Sequence, residues 1–219
     1  MRDFIFDRVD YAILTIFCNL DRIQFPLDPK MAISLCPNCR AMSYYDLAQI
    51  SSTSLHDVIA ACKSYTGCTQ YDSSRDRYLI LANQSSRFTS SYNRIRWTFA
   101  HEFGHVICGH FDEICAASNE KRLSSYFDRR ELEEEADFFA ASLLSPFPTF
   151  SLFKIHTIED IERVYGLSRQ AAEYRFSEYK RYLNGEKEKY HYHDSMKKIL
   201  LMKCVYRPSM AKGYRQFSS

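Results

Sequence analysis

Residues 101–105 read HEFGH, a spacing that sets His101 and His105 one helical turn apart with Glu102 between them. Side chains four apart on a helix share a face, with Cβ atoms about 5–6 Å apart. Two imidazoles so placed can grip one tetrahedral zinc through nitrogens at about 2.0–2.1 Å. The adjoining carboxylate is then in reach of a water that the cation polarises, which is the chemistry of metal-assisted hydrolysis. The surrounding run IRWTFAHEFGHVIC (95–108) is apolar on most faces. It predicts a buried helix whose polar groups need partners.

Such a site needs a third protein ligand. A downstream histidine in the pattern HExxHxxGxxH would require Gly at 108 and His at 111, where the chain has Cys108 and Phe111. Gly109 and His110 are each one residue out of step, so that pattern fails. The alternative is a glutamate from a later helix, and residues 128–144 (DRRELEEEADFFAASLL) supply several. Asp128 with Glu131 reads as an N-cap signature, Pro146 limits the far end, and Leu132, Ala136, Phe139, Ala140 and Leu143 form a buried stripe. Glu131, Glu133, Glu134 and Glu135 all qualify by composition. Glu133 is preferred because Asp137, one turn on, could accept a hydrogen bond from the second ring nitrogen of a metal-bound histidine. Glu131 and Glu134 read better as solvated charge near a helix N-terminus. Glu134 and Glu135 stay as alternatives.

The runs RIRWTFAHEFGHVICGH and ELEEEADFFAASLLSP resemble the ImmA/IrrE-type metallopeptidases. In the first, Arg94, Arg96, Thr98, Ala100, His101, Glu102, Gly104 and His105 match, with Trp97 where Phe is usual. In the second, Ala136, Asp137, Phe139, Ala140, Leu143, Leu144 and Pro146 fall in place. The resemblance puts the metal-binding glutamate at Glu133 and spans roughly residues 10–182, most strongly 78–146. It implies an α+β fold: a zincin-like metallopeptidase domain with a small mixed sheet and an active-site helix. It also implies a metalloendopeptidase that cleaves a helix-turn-helix transcriptional repressor, releasing genes of mobile elements or stress responses. In that reading His101, His105 and Glu133 hold zinc (manganese being the second choice), Asp137 supports the ligands, and Glu102 moves the proton. Tyr126 and His156 are candidates for stabilising the oxyanion. The competing class is a DNA- or protein-binding regulator that keeps the metal site for structure.

The rest of the chain must position these groups. With 219 residues, 46% hydrophobic and 15% aromatic, it can hold one substantial core plus a small appendage. The apolar run near the N-terminus is short for a signal peptide and far too short to cross a membrane. The expectation is a soluble, cytoplasmic protein with reduced thiols. Of eight cysteines, Cys36 and Cys39 form a CPNC pair that could belong to a second metal site, although Cys62 and Cys68 lack the matching spacing. Cys108 reads as a small buried hydrophobe.

Residues 8–20 predict a helix that the FPLDP turn ends, and 29–66 a mixture of helix and short strand, with Thr53–Ser54 preceding a helix over 55–65. Residues 78–83 (YLILAN) predict a strand, either bordering the substrate cleft or lying inside the sheet. Residues 157–182 read as helix, Gly166 turn, and a second helix capped by Ser168, which resembles a helix-turn-helix. Ile158, Ile161, Val164, Leu167, Ala171, Ala172 and Tyr174 suit packing on the catalytic part. The mixed charge of the pair favours that packing over direct DNA contact. From Gly185 onward eight Lys/Arg stand against three Asp/Glu, so the end reads as a basic tail, with His191 and His193 as surface groups. The organisation expected is a metallopeptidase domain at 1–150, a helical segment at 151–183 and the tail at 184–219.

Overall fold

The computed structural model describes residues 2–85, 91–111, 126–185, 190 and 192–204, with the backbone alone described at 2–6 and 126–129. The chain opens with α1 (Arg2–Asn19) and a short α2 (Pro29–Ile33), then strand β1 (Cys39–Ser43), α3 (Tyr44–Ser51) and α4 (Leu55–Cys62). A hairpin of β2 (Gly67–Asp72) and β3 (Arg77–Ala82) leads to the long helix α5 (Tyr92–Ile107). After it come α6 (Tyr126–Leu144), α7 (Pro148–Leu152), α8 (Ile158–Tyr165), α9 (Arg169–Leu183) and α10 (His193–Lys203). The mixed α+β architecture agrees with the sequence.

The sheet has the order β1-β3-β2, with β1 parallel and β2 antiparallel to β3. The strand expected at 78–83 is therefore the inner one. Its residues alternate as a strand's must: Ile80 and Ala82 enter the main core, while Leu79 and Leu81 face a smaller cluster built on Met42, Tyr44, Ala48 and Val58. Among the described residues β2 pairs on one side only. Asp72 fixes the hairpin, its carboxylate accepting from the Ser74 backbone N–H at 3.2 Å and hydroxyl at 2.6 Å.

Helix α5 lies between the sheet and α6. Glycines set both approaches. A Cβ on Gly67 would come within 2.2 Å of the Thr98 methyl, and one on Gly104 within 3.1 Å of the Ala136 backbone. β2 and α6 thus press on α5 closely enough for Thr69 of β2 to reach Glu102 and for Glu133 and Asp137 of α6 to reach the histidines. Arg96, buried in α5, donates from Nε to the Leu27 carbonyl at 2.8 Å and from Nη1 to the Tyr165 and Gly166 carbonyls at 3.0 and 3.1 Å. Gly166 (φ 60°) ends α8 in the left-handed conformation that glycine adopts without steric cost.

Several local expectations change. The helix carrying Glu133 is already formed at Tyr126, so Asp128 lies inside it and is no cap. Leu132 is half-buried, whereas Ala136, Phe139, Ala140 and Leu143 are buried. In the α8–α9 pair Ser168 does cap the second helix, accepting from the Ala171 N–H at 3.3 Å. Tyr174, however, is 61% exposed. Ile161, Leu167 and Ala172 are buried in the main core and Ile158, Val164 and Ala171 pack against it, as expected; beside them Arg175 donates from Nε and Nη2 to the Ser145 carbonyl at 3.1 and 3.0 Å, its guanidinium 3.6 Å from the Phe147 ring centre. Part of the basic tail forms α10, packed on α1 and α7. His193 is buried and faces Asp10 at 3.5 Å, a correction to its reading as a surface group; His191 lies outside the described residues. Among the described residues no helix is long and apolar enough to cross a membrane.

Candidate metal centre

His101 and His105 project from α5, half-buried and one turn apart, toward Glu133 on α6. Glu133 Oε2 lies 3.2 Å from His101 Nε2, and its Oε1 lies 3.6 Å from His105 Nε2. The two Nε2 atoms are 3.2 Å apart. Tetrahedral bonds of about 2.0–2.1 Å place neighbouring ligand atoms about 3.3–3.4 Å apart. The separations, one carboxylate oxygen facing each imidazole, are close to those a zinc tetrahedron needs, and the donor set of two imidazoles and one carboxylate suits that cation. Glu133 is open to solvent, with a side chain 61% exposed, as a centre that admits a substrate requires.

The electrostatics follow from the crowding. Hydrogen bonding to His101 and His105 holds the Glu133 carboxyl well below the usual carboxylate range. Burial disfavours a charged His101, but the hydrogen bonds to Asp137 and Glu133 outweigh it and hold the imidazole up to about 10. Asp137 Oδ1 sits 2.8 Å from His101 Nδ1, the contact expected from its place one turn after Glu133. Burial raises the Glu102 carboxyl above its ordinary value, with His101, His105 and Thr69 opposing. The Thr69 hydroxyl on β2 lies 3.0 Å from Glu102 Oε2 and 3.1 Å from the Glu102 carbonyl.

The other glutamates separate cleanly. Glu134 is exposed and ion-paired with Arg130 at 3.0 Å, and Glu131 is exposed. Glu135 is buried and turned to a second histidine: its Oε2 lies 3.1 Å from His110 Nε2, and its Oε1 lies 2.5 Å from Arg8 of α1. His110 Nδ1 is in turn 2.7 Å from His105 Nδ1. Neither His110 nor Arg8 was selected from the sequence. The available signal was Gly109, whose φ of 72° turns the chain at the end of α5 so that the next residue faces back toward the helix. Cys108 is buried, as expected, and its sulfur lies within 4.8 Å of ligand atoms of His110 and Glu135.

His156 is exposed in the segment between α7 and α8 and contacts Asp160 through its backbone N–H at 3.0 Å. The Tyr126 side chain lies outside the described residues. Cys36 and Cys39 flank a tight turn closed by the Cys39 N–H to the Cys36 carbonyl at 3.0 Å. A hydrogen bond from Cys39 lowers the Cys36 thiol to about 7. Among the described residues no third histidine, cysteine or carboxylate joins them in a ligand cluster.

In a comparison with known families, residues 69–177 fit the family model of the IrrE N-terminal-like domain, Peptidase_M78. The matched segment runs from Thr69 on β2 into α9 and contains every residue of the centre described above except Arg8. A comparison with curated proteins finds no match.

Proposed function

We propose that this chain, which belongs to the Peptidase_M78 family through the IrrE N-terminal-like domain at residues 69–177, is a zinc-dependent endopeptidase that cleaves a protein substrate at His101, His105, Glu102 and Glu133. The observation that carries the reading is the spacing of the three donor groups, 3.2–3.6 Å, beside the half-buried Glu102 carboxyl. His101 and His105 would hold the cation through Nε2 and Glu133 through its carboxylate. Bound there, a divalent cation supplies Lewis acidity that polarises a peptide carbonyl and acidifies water.

The chain's own residues do the rest. Asp137 fixes the ring of His101 by accepting from its Nδ1–H. Glu102 takes a proton from the attacking water and returns it to the departing amine. Its raised affinity for protons, caused by burial, suits both halves of that task. The Thr69 hydroxyl steadies Oε2, so Oε1 is the oxygen we assign to the proton. Because Thr69 lies on β2, whose outer side pairs with no described strand, a substrate adding itself to that edge would run past Glu102. Backbone pairing of this kind favours an extended polypeptide over a small molecule.

Cleavage of a helix-turn-helix repressor extends the reading by family likeness. Direct DNA contact by α8 and α9 has less support. Arg169 at their junction is held by Glu159, Glu162 and Glu173, and Arg175 is buried where the pair packs on the core. The test is to incubate zinc-loaded protein with the repressor encoded beside it, with and without chelator, alongside Glu102→Gln. Discrete fragments from the wild type alone, lost on chelation, are expected. An intact repressor under all conditions would remove the substrate assignment, and fragments from Glu102→Gln would remove the role of Glu102.

A further inference from the structure

Behind the proposed ligands runs a line of polar contacts that passes through the interior and ends at the surface: His105 Nδ1 to His110 Nδ1 at 2.7 Å, His110 Nε2 to Glu135 Oε2 at 3.1 Å, and Glu135 Oε1 to Arg8 at 2.5 Å. His110 is 1% exposed and Glu135 6%. Polar groups that deep must satisfy one another. We propose that His110, backed by Glu135 and Arg8, is a positioning residue that locks His105 in the Nδ1–H tautomer and so presents its Nε2 lone pair to the cation. The proposal rests on the reading that His105 is a cation ligand.

Proton bookkeeping carries it. A carboxylate paired with an arginine only accepts hydrogen bonds, so His110 Nε2 must be the donor to Glu135. A neutral imidazole with its proton on Nε2 has a lone pair on Nδ1. The short Nδ1···Nδ1 contact then needs its proton from His105. A neutral His105 with that proton on Nδ1 carries its lone pair on Nε2, the atom that converges with His101 and Glu133. Each step follows from one anchored charge, Arg8, which lies 127 positions away from Glu135 in sequence. For His101 the Nδ1–H is fixed by Asp137 directly. The two ligands are thus set by different means, one by a solvent-facing acid and the other by an internal relay.

The same residues pose a rival. Cys108, His110 and Glu135 offer three ligand atoms within 4.8 Å of one another, enough for a second cation. His110 would then need its lone pair on Nε2 and its proton on Nδ1. That proton would point at His105 and force the His105 proton onto Nε2, where it blocks the first centre. Two neutral imidazoles in this arrangement therefore serve one cation, not two.

The test uses the full chain. In metal-free wild type, 15N NMR of the imidazoles should show His105 protonated on Nδ1 and His110 on Nε2; the reverse pattern on His105 overturns the proposal. Zinc titration should saturate at one equivalent, and a second equivalent lost in Cys108→Ser would establish the rival site instead. His110→Phe keeps the ring's bulk but removes the relay, and should weaken zinc affinity about 10–100-fold. Glu135→Gln, which keeps an acceptor for His110, should retain most of the wild-type affinity, whereas Glu135→Leu should not. Equal zinc affinity in wild type and a folded His110→Phe would overturn the proposal. Should His110→Phe fail to fold, the wild-type tautomers still decide. Because no substrate is involved, these outcomes are independent of whether the repressor is cleaved. Failure of the metal reading itself would appear separately, as zinc binding that His105→Ala leaves intact.

Discussion

Two histidine–carboxylate clusters occupy different helix contacts of this molecule and differ in what their donor atoms face. At the α5–α6 contact, His101, His105 and Glu133 turn their acceptor atoms toward one point, 3.2–3.6 Å apart, while Asp137, His110 and Glu135 hold the rings from behind. At the α1–α10 contact, His193 faces Asp10 at 3.5 Å inside a wall formed by Phe147, Tyr182 and Tyr190. Among the described residues neither Asp10 oxygen nor His193 Nδ1 has a hydrogen-bond partner. The first cluster aims three donor groups at a common centre; the second has one facing pair and an apolar jacket. Histidine beside acid is therefore no sign of a metal site by itself. Convergence of three donor groups is.

The comparison can be broken at either end. The largest effect is expected from Glu102→Gln, which should lower cleavage by about 10²–10⁴-fold, the range of proton-transfer catalysis, while a zinc titration still reports one equivalent. In the same assay His101→Ala or Glu133→Ala should abolish tight zinc binding, with the metal-free melting temperature little changed.

The second cluster should respond in the opposite sense. His193→Phe removes the partner of a buried carboxyl and should cost about 3–5 kcal/mol, a fall of roughly 10 °C in melting temperature, with zinc affinity intact. Replacing both members, Asp10→Leu with His193→Phe, should restore much of that loss. If His193→Phe instead released zinc, the two clusters would not be separate.

Smaller effects sharpen the contrast. A methyl at Gly104 meets the Ala136 backbone at 3.1 Å, so Gly104→Ala should push α6 back, cost about 1–3 kcal/mol and weaken zinc binding together with stability. The smallest signal is a proton. In the metal-free protein His101 is held up to about 10, above neutral pH, so it starts charged and must lose a proton when Nε2 takes a cation. Calorimetry at pH 7.5 in buffers of different ionisation enthalpy should report release of about one proton per zinc. The sign follows for stability as well. A raised imidazole pKa stabilises the metal-free fold fully below the ordinary histidine value of about 6.5, and that contribution is lost as pH rises through about 10. Asp137→Asn should reduce both the proton release and this pH dependence.

Much of the centre was legible because helical spacing is itself geometry. His101, Glu102 and His105 follow from four-residue periodicity on α5, and Glu133 with Asp137 from the same periodicity on α6. The sheet was less so: GCTQYD and CRAMS lack an apolar alternation, and their strand character comes from pairing with β3. Asp128 misled because a capping residue type occurs just as readily inside a helix. Tyr174 and His193 misled because composition does not say which side of a short helix finds a neighbour. The His110–Glu135–Arg8 line was beyond any local pattern. It needs the left-handed turn at Gly109, and it draws its last member from the opposite end of the chain.

That last member has a practical consequence. Arg8 stands well outside the 69–177 segment by which the family is detected, so excising that segment or grafting it onto another scaffold would strand Glu135 in the interior without its counter-ion. The portion of this protein that can be transplanted as a working unit is larger than the portion that sequence kinship marks out.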